Sequence, residues 1–179
     1  NEDLCLVQRC KKRVRLNKPI YTGFVVLEAS ELHMHRFYYD HLMKKYTPLT
    51  CRLLYTDTDS FILHVFTDDI FMDMANDIYL YDTSNFPADH PLFSKINNKV
   101  VGKMKSECAE LQPKQFVGLR SKMYSLFVPD DLHGKPKMTA KGIKRQFMEK
   151  SLKHDNYLNV LQTGQSTNAN FNIFCSRNH

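Results

Sequence analysis

The 179-residue sequence has no apolar run approaching the roughly 18 residues that a membrane-spanning helix needs. It also lacks the basic, apolar and small-residue succession of a secretory signal. Its five cysteines, Cys5, Cys10, Cys51, Cys108 and Cys175, form no Cys-x-x-Cys pair, which excludes the usual zinc-finger spacings. Their odd number and scatter argue against a disulfide scaffold, and there is no Asn-x-Ser/Thr glycosylation site. These absences predict a soluble, intracellular chain in a reducing compartment, with no membrane partner.

A further absence is local. Residues 53 to 94 contain no Lys, Arg or Glu but eight Asp (Asp57, Asp59, Asp68, Asp69, Asp73, Asp77, Asp82 and Asp89), a balance of −8. Residues 95 to 150 carry thirteen Lys/Arg against five Asp/Glu, a balance of +8, and the first 52 carry ten against five. An acidic centre bracketed by basic segments suits a cation site whose flanks hold a polyanion. The competing reading is the solvated faces of ordinary helices. The hydrophobic content of 42% and twelve Phe indicate a folded globule, and the start at Asn1 and stop at His179 read as a fragment cut at both ends.

Periodicity predicts a helix over 21–46, with Phe24, Leu27, Glu31 and His35 on one row and Thr47-Pro48 as its stop. A strand over 51–56, a turn at 57–59 and a strand over 60–66 follow. Asp68-Asp69 open a helix whose buried row is Ile70, Met74 and Ile78, with Asp73 and Asp77 on its solvated face. Residues 82–91 read as a loop, 99–107 and 115–128 as two strands, 134–136 as a turn, 144–153 and 154–162 as helices, and 163–170 as a loop. The fold class is therefore α+β. Met72, Met74, Met104 and Met123 read as core. His33, His35 and His41 read as helix residues that share no metal, because positions two apart face away from each other.

Chemistry concentrates at Leu53-Leu54-Tyr55-Thr56-Asp57-Thr58-Asp59-Ser60-Phe61-Ile62-Leu63. Two carboxylates one residue apart lie between apolar β-prone runs, and period-2 alternation would put both on one side of an extended segment. Carboxylates aimed at one spot repel unless a metal or proton sits between them. Three chemistries use such a pair: two-metal nucleotidyl transfer with cations about 3.5–4 Å apart, a Mn²⁺-dependent glycosyltransferase, and an aspartyl-phosphate phosphatase. A plain hairpin turn uses Asp as well, to satisfy backbone donors.

Tyr55-Thr56-Asp57-Thr58-Asp59-Ser60 resembles the Tyr-x-Asp-Thr-Asp-Ser signature of family B DNA polymerases, motif C of the palm, with five fixed identities in six positions. Downstream, Lys122-Met123-Tyr124 fits the Lys-x-Tyr motif that follows motif C, particularly in the protein-primed branch. A single strand over 115–128 would align Arg120, Lys122 and Tyr124 on one face, two cations and an aromatic suited to a primer strand. The segments around Asn17-Lys18-Pro19-Ile20-Tyr21 and Val101-Gly102-Lys103-Met104-Lys105 also resemble the organellar and viral subgroup, which includes linear plasmids and large self-synthesising transposons.

The resemblance implies the C-terminal part of a polymerase palm over 1–130 (helix, β-hairpin, helix, further strands) and the start of a partly helical thumb over 131–179. It implies that Asp57 and Asp59 are catalytic and bind Mg²⁺, which Mn²⁺ can replace. Tyr55 and Asp57 would face the incoming nucleotide, and Arg120, Lys122 and Tyr124 the primer. The partners would be primer-template DNA, dNTPs and, in the protein-primed branch, a terminal priming protein. The compartment, whether nucleus, organelle or viral replication site, stays open. Two family signatures are absent: Asp-x-x-Ser-Leu-Tyr-Pro, which supplies the other essential metal ligand, and Lys-x-x-x-Asn-Ser-x-Tyr-Gly, which grips the triphosphate. The chain alone is therefore expected to be inactive. A non-catalytic nucleic-acid-binding remnant and an Asp-x-Asp glycosyltransferase stand as alternatives.

Overall fold

A computed structural model describes residues 18–128 and 136–166, and in it the chain mixes helices with two small antiparallel sheets, as the α+β expectation requires. Helix α1 (Ile20–Arg36) starts directly after Pro19, whose carbonyl accepts from the N–H groups of Thr22 and Gly23. It continues through a π turn (Phe37–Leu42) into a last α turn, α2 (Met43–Lys45). The helix expected over 21–46 is thus present, but the wide turn shifts its register. That shift sets Phe37 edge-on to Tyr81, with centroids 6.0 Å apart, and Tyr38 against Phe61 at 5.8 Å. Met34 and Leu42 are buried, whereas Phe24 and Leu27 of the expected apolar row are exposed.

Strands β1 (Cys51–Asp57) and β2 (Ser60–Val65) form the first hairpin. Its turn is two residues, Thr58 and Asp59, with Thr58 at φ 56° and the Asp59 N–H donating to the Asp57 carbonyl at 2.7 Å. A bulge between Leu53 and Tyr55 leaves Tyr55 opposite Ile62 and Asp57 opposite Ser60. Tyr55 and Asp57 therefore share a face. Asp57 and Asp59 do not continue one extended strand, because the chain reverses between them.

Helix α3 (Ile70–Asn76) is capped by Asp69, whose carboxylate accepts from the N–H groups of Phe71 and Met72. Asp73 and Asp77, expected on a solvated face, instead turn toward the first helix. Lys45 Nζ donates to Asp77 at 2.6 Å, and the Tyr46 and Thr67 hydroxyls each donate to Asp73 at 2.6 Å. Ile78 leaves the expected buried row for a 3₁₀ turn (Ile78–Leu80) and is 37% exposed. Met72, expected in the core, is 61% exposed.

No strand forms over 99–107. Positive φ at Lys99 and Gly102 breaks the extended run, leaving one parallel bridge between Tyr81 and Met104. Buried Asp82 organises this segment instead, accepting from Ser84 N at 2.9 Å, Lys99 N at 3.3 Å and Lys105 Nζ at 3.1 Å. Burial alone would raise its pKa, but the donors from Ser84, Lys105 and Lys99 outweigh it and hold the carboxyl well below the usual range.

The single strand expected over 115–128 is a hairpin, β3 (Gln115–Arg120) and β4 (Met123–Phe127), and β5 (Lys137–Ala140) pairs with β4. The Gly134-Lys135-Pro136 turn falls largely outside the described residues, as does the expected 130/131 palm–thumb boundary. The three-stranded sheet joins residues on both sides of that boundary. Helices α4 (Arg145–Ser151) and α5 (His154–Thr163) match the expected pair, and Gly164 ends α5 at φ 69°. Helix α5 packs on β3 and β4. There Ser125, fully buried, meets His154 Nδ1 at 2.8 Å, while His154 Nε2 faces Gln115 Oε1 at 3.1 Å. Gln115 Oε1 only accepts, so the imidazole proton is on Nε2 and Ser125 donates to Nδ1. Tyr157 Oη donates to the Thr139 carbonyl at 3.2 Å, fixing the helix to β5. Among the described residues no helix is long and apolar enough to cross a membrane.

Candidate nucleotidyl-transfer site

The two hairpins meet turn to strand, and that contact gathers the residues that the sequence had marked in two separate places. The β3–β4 turn is Ser121-Lys122, with Lys122 at φ 56°, a left-handed backbone uncommon for a side-chain-bearing residue. In that conformation its N–H points at Tyr55 and donates to Oη at 2.7 Å. Its carbonyl accepts from Lys141 N at 3.0 Å, next to β5. The Lys122 ammonium lies 2.8 Å and 2.9 Å from the two carboxylate oxygens of Asp57. Hydrogen bonding to Asp57 raises the Lys122 pKa, and the charge of Asp57 and then the fields of Tyr55 and Asp59 add to it.

An aromatic cluster lies behind the charges. The Tyr55 and Tyr124 rings are 4.9 Å apart, and Phe116 packs on them at 6.1 Å and 6.0 Å respectively. Phe116 reaches this position by crossing Gly118: a Cβ there would stand 3.0 Å from its ring, so the side-chain-free residue admits the aromatic. Phe116 was not marked in the sequence. No signal in the sequence singles it out, because its place depends on the turn at Ser121-Lys122, which returns Tyr124 beside the strand that holds Phe116.

Asp59 occupies the β1–β2 turn and is exposed. Together with Tyr55 and Tyr124 it lines a groove of about 890 Å³ that also takes in Lys103, Lys105 and Lys137. Those lysines belong to the basic segment read from composition, although none was singled out. Lys105 is held by Asp82, and Lys137 by Glu107. Of the six residues marked in the sequence, the structure brings together Tyr55, Asp57, Lys122 and Tyr124, with Asp59 at the edge. Arg120 ends β3 opposite Met123, exposed, and among the described residues its side chain makes no hydrogen bond or ion pair. The row of Arg120, Lys122 and Tyr124 on one strand face does not exist, because the turn falls inside it.

Asp57 and Asp59 are hard oxygen donors of the kind Mg²⁺ and Mn²⁺ take, usually alongside further ligands and water. Among the described residues no group of three or more His, Cys, Asp and Glu gathers as a metal site. The pair fits a divalent cation in chemistry and supplies only part of its ligand count. A scan against protein-family models and searches of curated proteins and of solved structures found no match to this chain.

Proposed function

We propose that the chain is the motif-C half of a family B DNA polymerase site, with residues of its palm and the start of its thumb. The reaction served would be template-directed transfer of a deoxynucleotide to a primer 3′-hydroxyl with release of pyrophosphate. The observation that supports this reading most is the meeting of the two motif segments. Tyr55 and Asp57 on one hairpin are clasped by Lys122 and Tyr124 from another, 67 residues away in sequence. Two unrelated short motifs would have no reason to converge; two parts of one site would.

In this reading Asp57 and Asp59 would hold part of a Mg²⁺ shell, which a carboxylate of the Asp-x-x-Ser-Leu-Tyr-Pro type would complete. When bound, such cations orient the triphosphate and activate the attacking hydroxyl. Tyr55 sets the floor of the nucleotide position and is itself held by the Lys122 N–H. Tyr124 offers an aromatic face to a sugar or base, and exposed Arg120 a cation to a primer phosphate. Lysines along the groove add sequence-independent attraction for the polyanion.

The experiment is primer extension by the complete gene product on a defined primer-template with Mg²⁺ or Mn²⁺. Template-dependent incorporation supports the reading, and its absence with both cations overturns it. One observation favours a second reading, a nucleic-acid-binding remnant without chemistry: the described residues hold only two carboxylates at the site, one of them already paired with Lys122. Salt-dependent duplex binding that ignores divalent cations would favour that reading.

A further inference from the structure

Lys122 is attached to its surroundings by bonds of two kinds. Its backbone is fixed by neutral hydrogen bonds on both sides, N–H to Tyr55 Oη and carbonyl from Lys141 N. Its side chain makes a two-oxygen ion pair with Asp57, and the two side chains are 43% and 33% exposed. Pairs at such exposure contribute little to stability. The ammonium can leave Asp57 without releasing the backbone, and the residue stays beside the site. Asp59, in the turn that directly follows Asp57, adds a second negative charge, its N–H donating to the Asp57 carbonyl at 2.7 Å. A divalent cation held by Asp57 would share the oxygens that Lys122 now bonds, and two cations on one carboxylate repel each other.

We propose that Lys122 is a displaceable counter-ion. It neutralises Asp57 while no divalent cation is bound, and it leaves Asp57 when Asp57 and Asp59 take one. The freed ammonium, tethered by its anchored backbone, is then available to a phosphate of the nucleotide or primer. Cation binding and phosphate binding are thereby coupled through one side chain, and the coupling runs equally in both directions. The inference rests on the reading of Asp57 and Asp59 as cation ligands. It assigns Lys122 a positioning role that changes with cation occupancy, where a fixed structural strut would not change.

The test uses Tb³⁺ as a hard, oxygen-seeking probe whose luminescence the nearby Tyr55 and Tyr124 rings can sensitise. Lysine methylation by formaldehyde and a borohydride, read peptide by peptide in a mass spectrometer, reports whether each ammonium is paired. With Tb³⁺ bound, Lys122 should methylate about two- to fivefold faster, the span that an exposed ion pair allows. Lys103, which donates to the Tyr79 carbonyl, should keep its rate. Asp59→Asn should abolish the change. Lys122→Met should tighten Tb³⁺ binding by a similar factor, whereas Lys103→Met, which removes the same charge from the groove, should not. Tb³⁺ that binds through Asp59 without changing Lys122 methylation, or that binds more weakly to Lys122→Met, overturns the exchange and leaves the cation site standing. Tb³⁺ binding that does not depend on Asp59 overturns both.

Discussion

The backbone N–H of Lys122 donates to the phenol oxygen of Tyr55 at 2.7 Å, across 67 positions of sequence. This single neutral bond sets the turn of one hairpin against the strand of the other and so places Asp57 opposite an ammonium. Tyr55→Phe keeps the ring that packs 4.9 Å from Tyr124 but removes the acceptor. Leaving a partly buried N–H without a partner should cost about 1–2 kcal/mol. Urea unfolding of the two proteins measures it, and an unchanged midpoint would mean that the contact carries no stability.

Much of this arrangement is legible in the sequence, and its failures have physical causes. The helix, the first hairpin and the last two helices follow from apolar spacing and from the Thr47-Pro48 stop. The 115–128 segment reads as one strand because apolar residues stand on both sides of Arg120-Ser121-Lys122, and that polar run holds no Gly, Pro, Asn or Asp to mark a turn. Nothing in that pattern announces a left-handed turn at Lys122, a residue without the usual turn preference. The extended run over 99–107 fails for the same reason at Lys99, and again at Gly102, where the glycine itself admits the left-handed backbone. Asp73 and Asp77 looked solvated because charge alone cannot show that Lys45 and Tyr46 lie across the helix to receive them. The carboxylate pair was visible at once, whereas its ion pair to Lys122 depends on tertiary contact and was not.

Asp82 is the polar anchor of the loop that closes the groove. Its folded-state pKa lies below the ordinary carboxylate value of 3.8 because the donors from Ser84, Lys105 and Lys99 outweigh its burial. A group depressed on folding contributes stability that is present above the unfolded pKa and is lost as pH falls below it toward and through the folded pKa. The thermal unfolding temperature should therefore fall below about pH 4, and that fall should be smaller in Asp82→Asn. At neutral pH the same variant should be less stable by about 2 kcal/mol, since charge-assisted bonds are lost. Equal stability at pH 7 would contradict the anchoring role.

His154 and His41 titrate in the opposite part of the scale. Burial lowers both pKa values, opposed at His154 by Asp155 and at His41 by Asp77, with Lys45 adding to the lowering there. Each imidazole is thus neutral in the fold at a pH where the unfolded chain already takes a proton. Stability should be full above the unfolded value of 6.5 and fall as pH drops through it toward the folded pKa. Scanning calorimetry at several pH values between about 5 and 8 reads this window. The slope should shrink in His154→Gln and shrink again when His41→Gln is added. A slope unaffected by either change would show that other groups set it.

The proposed nucleotidyl transfer depends on Asp59. The most direct measurement is the single-turnover rate of nucleotide incorporation by the complete gene product, wild type against Asp59→Asn, with duplex affinity measured in parallel by fluorescence anisotropy. The Asp59→Asn rate should be lower by about 10²–10³-fold or more, the scale of losing a preorganised electrostatic contact in the transition state, with primer-template affinity nearly unchanged. Incorporation at the wild-type rate by Asp59→Asn would contradict that dependence.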